Sequence, residues 1–70
     1  MMDLVDKIKT YRLMKNLTQE KMAHFIKVSL PTYCSFENKK SVSGKTKVRI
    51  EMFYEENKTS IEATLKLLGK

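Results

Sequence analysis

Seventy residues carry 14 Lys/Arg against 8 Asp/Glu, a formal net charge of +6, and a single cysteine. A chain this short buries only about 60% of the surface its unfolded form exposes, which leaves no spare core for a catalytic cleft, so an enzyme is not expected. One cysteine excludes an internal disulfide, and no apolar run approaches the ~20 residues that span a bilayer.

Met1 to Lys9 alternates charged and apolar residues, unlike a signal peptide. One cytoplasmic domain over residues 1–70, without membrane contact, is therefore expected. Two glycines and one proline are few, which predicts a mostly helical chain.

The first helix is predicted over Asp3 to Lys15. Leu4, Ile8 and Tyr11 fall on one stripe at i, i+4 and i+7. Asp3 and Asp6 near its start and Lys15 near its end suit the helix dipole. Asn16 can take the left-handed conformation that stops it.

Two short helical patterns follow, about Thr18 to Ile26 and Leu30 to Glu37. Thr18 and Ser29 are the residue types that cap helix N-termini. Met22, Ala23 and Ile26 form one apolar stripe, and Tyr33 with Phe36 another. Lys27 sits where the turn between them needs positive φ, which strains any residue but glycine. Pro31 falls in a first turn, where its missing N–H is tolerated. A unit of this kind can present its second helix to a DNA groove.

After Lys40 the pattern reads two ways. Ser43 suits an N-cap, and either Val48 with Met52 or Ile50 with Phe53 and Tyr54 suits a fourth helix. Val48, Ile50 and Met52 also alternate with charges, as a strand would. The length from Lys45 to Glu56 without a turn residue favours helix. Thr59-Ser60-Ile61-Glu62 resembles a capping box with Thr59 as N-cap. Ile61, Leu65 and Leu68 then mark a last helix, with Gly69 as its stop.

Charge is segregated along the chain. Lys39, Lys40, Lys45, Lys47 and Arg49 follow one another without an intervening acid; Glu51, Glu55, Glu56 and Glu62 come next, opposed only by Lys58. A basic stretch on a basic domain points to a polyanion such as nucleic acid.

Ile8 and Arg12, the run Leu17-Thr18-Gln19-Glu20, Ala23, Val28-Ser29 and Glu37-Asn38 together resemble the helix-turn-helix domain of the phage repressor and Cro family, over about residues 8–54. The resemblance implies an all-α, five-helix lambda-repressor-like bundle with its helix-turn-helix at about residues 18–37. It implies a homodimer that binds double-stranded operator DNA and regulates transcription. Gln19 falls where the family's glutamine contacts the DNA backbone. Ser29 caps the recognition helix, and Leu30, Pro31, Thr32 and Ser35 fall at groove-facing positions. Asn38, Lys39 and Lys40 fall where the following loop touches phosphate, and Lys45 belongs to the same basic cluster.

The chain departs from the family at its reading face. Arg, Lys, Asn and Gln pair bidentately with purine edges, and positions 30, 31, 32 and 35 carry none of them. Phe25 stands where the family usually has a charged residue. Phe25 and Leu30 together suggest a protein contact. An alternative is therefore an antirepressor of the same fold that binds a cognate repressor. No cofactor or metal is expected. His24 lacks companion ligands at metal-binding spacing, and Cys34 has no base placed to activate it. The aromatic residues recur at helical spacing and read as packing; the methionines read mostly as packing too, with Met14 and Met52 able to serve an adaptable contact surface.

Overall fold

The computed structural model describes residues 2–69 and is all-helical across them. Five helices follow in order: α1 (Leu4–Met14), α2 (Gln19–Ile26), α3 (Leu30–Glu37), α4 (Gly44–Glu56) and α5 (Lys58–Gly69). The segment that reads as helix or strand is helix α4. The expected stop at Gly69 lies at the edge of the described residues. No described helix is long and apolar enough to cross a membrane.

The first four helices each start on a short polar side chain. Asp3, Thr18, Ser29 and Ser43 accept the N–H groups of Asp6, Lys21, Thr32 and Thr46, satisfying donors a helix start leaves unpaired. Three helices end alike. Asn16, Lys27 and Lys39 have φ of 58°, 70° and 61°. The next N–H then reaches back, from Leu17 to Arg12 O at 3.0 Å, Val28 to Ala23 O at 3.0 Å, and Lys40 to Ser35 O at 2.9 Å. This is the left-handed closure usually made by glycine, built here from asparagine and lysine.

The α4–α5 junction differs from expectation. Asn57 alone joins the two helices: its N–H bonds Phe53 O and Tyr54 O, and its own carbonyl accepts Ile61 N at 2.8 Å. Thr59 therefore lies inside α5 and forms no capping box. Glu62 is used elsewhere, accepting Lys7 Nζ at 3.0 Å and the Tyr54 hydroxyl. A tertiary cluster of α1, α4 and α5 has taken the carboxylate from its local role.

Ile8, Met22, Ala23, Ile26, Tyr33, Phe36 and Ile50 form the core; Ile61 of α5, a helix packed on α1 and α4, is also buried. Of the two apolar stripes available to α4, Ile50 with Phe53 and Tyr54 faces inward. Val48 and Met52 are exposed at 53% and 54%. Leu68, expected on the inner stripe of α5, is also exposed; Thr64 is buried in its stead.

Candidate nucleic-acid interface

A buried polar network fixes α3 against α1 and α2. Arg12 Nε and Nη2 donate to the two Glu37 oxygens at 2.7 and 3.1 Å. Arg12 Nη1 bonds Leu17 O at 2.9 Å. Gln19 Nε2 reaches Glu37 Oε1 at 3.0 Å, and the Tyr33 hydroxyl donates to Oε2. Every buried polar side-chain atom described has a partner, as a low-dielectric site requires. Burial raises the Glu37 carboxyl, but hydrogen bonds from Arg12, Tyr33 and Gln19 outweigh it and hold the group below its ordinary range. Burial and the neighbouring carboxylate push the Tyr33 phenol up.

Gln19 thus has a structural partner on each side of its amide: it also accepts the Cys34 thiol at 3.4 Å. Its placement at the start of α2 rests on Glu37 and Cys34. The Arg12–Glu37 pair is absent from the sequence-level reading, although both residues mark the resemblance. Their opposite charges, 25 residues apart within the matched segment, were the available signal.

The expected site residues divide into separate groups. Ser29, Thr32 and Lys45 come together around a cavity of about 270 Å³, with Lys27, Val28, Ser43, Thr46 and Arg49 completing the wall. Helices α3 and α4 both begin there, on Ser29 and Ser43. Helix starts carry partial positive charge, and Lys27, Lys45 and Arg49 add whole charges. Arg49 Nη1 also donates to Lys27 O, which fixes its guanidinium beside the α2–α3 turn. Lys27 and Ser43 are additions to the expected set, whereas Arg49 comes from the expected basic stretch. A run of cations in sequence does not say which of them fold back to the turn.

Lys39 and Lys40 border a different hollow, with Asp3, Leu4, Val5, Phe36 and Val42. Lys39 Nζ lies 3.4 Å from Asp3 and 3.5 Å from Asp6, so its charge is partly answered within the molecule. On α3, Leu30 and Pro31 are exposed, Thr32 and Ser35 half-buried, and Asn38 exposed at the end. Phe25 is 52% exposed and Leu30 41%. The two do not share a hollow. Phe25 borders two hollows, one with Met52 and Phe53 of α4 and one with Thr18, Lys21 and His24 along α2.

No family model, curated protein or solved structure matches the chain.

Proposed function

We propose that the chain is a small Cro/repressor-type transcription regulator with a lambda-repressor-like arrangement of its helices. In this reading α2 and α3 form a helix-turn-helix, α3 lies in the major groove of operator DNA, and the protein acts in the cytoplasm without a cofactor. The supporting observation is the cavity where α3 and α4 both start and where Lys27, Lys45 and Arg49 converge. Such a site suits a phosphate, and phosphate contacts fix register on a duplex. Thr32 and Ser35 supply short hydrogen bonds to base edges and Leu30 a contact for a thymine methyl. Without a long bidentate reader on α3, affinity rests mainly on phosphates. Binding is then steeply salt-dependent, with modest discrimination between sequences. Electrophoretic shift on random and genomic fragments, with titrated salt, tests this. Retention of a subset of genomic fragments at physiological salt supports operator binding. Binding indistinguishable across all fragments overturns it.

The exposure of Phe25 on α2 and Leu30 on α3 favours a second reading, an antirepressor that binds a cognate repressor through apolar side chains of these two helices. The double variant Leu30→Gln, Phe25→Lys separates the two. A DNA reader keeps or gains affinity, since the change adds hydrogen-bonding capacity and charge. A protein binder loses its complex, because apolar anchors carry most interface energy.

A further inference from the structure

A hollow of about 390 Å³ opens between the start of α1, the end of α3 and the first half of α4. Its apolar lining is Leu4, Val5, Phe36, Val42 and Ile50. Phe36 and Ile50 belong to the core, whereas Leu4, Val5 and Val42 are half-buried and pack against it. Those three keep apolar surface that the described residues leave uncovered. The charged residues of the hollow are Asp3, Lys39, Lys40, Lys47 and Glu51. Asp3 is already occupied: one oxygen accepts the Asp6 N–H at 2.9 Å and the other lies 3.4 Å from Lys39 Nζ. Lys40 and Lys47 make no salt bridge among the described residues. Set against Glu51, they leave the hollow with one positive charge in excess.

We infer that this hollow binds a free aliphatic monocarboxylate of medium chain length, with its hydrocarbon against Leu4, Val5 and Val42 and its carboxylate at Lys40 and Lys47. Small-molecule sites start at about 300 Å³ and combine an apolar lining with a few polar groups that fix orientation. Only an occupant with both parts uses both kinds of lining here. An inorganic anion leaves the apolar surface bare, and a neutral hydrocarbon leaves the excess charge unanswered. One excess charge matches one carboxylate. Lysine suits the task, because its flexible stem lets the ammonium follow the head group while its methylenes extend the apolar wall. Helix α4 divides this hollow from the cavity at the α3 and α4 starts: Lys47, Ile50 and Glu51 line the one, and Lys45, Thr46 and Arg49 the other. Lys40, placed at phosphate by the resemblance, lines this hollow and not that cavity. Carboxylate binding here does not depend on the proposed DNA contact.

Amide chemical-shift titration of the folded chain with hexanoate, octanoate and decanoate, each below its micelle concentration, tests it. Octanoate should shift the amides of Val5, Val42 and Lys47 to saturation, and each added methylene should tighten binding roughly two- to fourfold. Octyltrimethylammonium, with the same chain and the opposite charge, should bind roughly tenfold more weakly than octanoate. The Lys40→Gln, Lys47→Gln variant, changed at two exposed positions, should lose roughly tenfold in octanoate affinity. Lys45→Ala, at the other cavity, should leave that affinity unchanged. Shifts that never saturate overturn the inference, as do saturable shifts centred on Phe25 and Met52. Affinity independent of chain length overturns it in favour of a bare anion site. Equal affinity for octyltrimethylammonium overturns it in favour of apolar adhesion. Unchanged affinity in the double lysine variant, with the wild-type circular dichroism spectrum, overturns the placing of the carboxylate, as does a loss with Lys45→Ala.

Discussion

Lysine at a left-handed position carries strain that glycine would not, roughly 1 kcal/mol or more. Lys27 has φ 70°, and Arg49 is bonded to its backbone carbonyl, which any side chain leaves in place. Lys27→Gly should therefore keep or raise the melting temperature. The same change removes a charge from the cavity at the α3 and α4 starts, so under the proposed function it should weaken DNA binding. A protein stabilised by the change but weakened on DNA fits both statements. A destabilised one means that the Lys27 side chain supports the fold. The buried carboxylate gives a second residue-scale test. Glu37 is 5% exposed, and its carboxyl sits below its ordinary range in the fold. The unfolded chain then binds more protons between the two pKa values. The stabilisation is complete above the unfolded glutamate value of about 4.3 and is lost as pH falls through the folded value. Glu37→Gln leaves Arg12 buried without its counter-ion, a loss of about 3–5 kcal/mol at neutral pH. Thermal melts from neutral to acid pH should show the wild-type advantage shrinking as Glu37 protonates. A constant gap would mean that the carboxylate is not the source of the stabilisation.

Among the elements, the α2–α3 pair depends on one small side chain. Ala23 is 2% exposed, and its carbonyl accepts the Val28 N–H that closes the turn. Ala23→Leu adds methylenes where neighbouring side chains already fill the space, and overpacking of this kind costs about 1–3 kcal/mol. An unchanged melting midpoint would show slack between α2 and α3. Helix α4 shows how far one element can be read alone. Its sequence offered two apolar stripes of similar quality. Packing buried Ile50 with Phe53 and Tyr54 and left Val48 and Met52 outside. The Thr59–Glu62 box failed for a related reason. Lys7 and Tyr54 bind Glu62, and Asn57 already begins α5.

For the whole molecule, the proposed interface makes the lysines unequal. Lys45 lines the cavity where two helices begin, whereas Lys39 is paired with Asp3 and Asp6. Lys45→Ala should lower the magnitude of the salt slope of DNA binding by about 1, the signature of one lost phosphate contact. Lys39→Ala should lower it by less. Titration of both variants on one fragment checks this, and equal losses would mean that Lys39 leaves its acidic partners to meet the duplex.

By itself the sequence determined α1 to α3, favoured helix over strand for α4, and marked where most of the helices start. Asp3, Thr18, Ser29 and Ser43 cap through atoms a few residues away, and the turns at Asn16 and Lys27 are equally local. The inner stripes of α1 to α3 were legible because core contact repeats with the helical period. The tertiary structure alone decided which stripe of α4 was buried, and it set Phe25 beside Met52 and Phe53 of α4 in a hollow that Leu30 does not line. It also joined Arg12 to Glu37 and gathered Lys27, Lys45 and Arg49 at one cavity while Lys39 turned to Asp3. Each of these joins residues far apart in the chain, and such meetings depend on how whole helices pack, which no local spacing encodes.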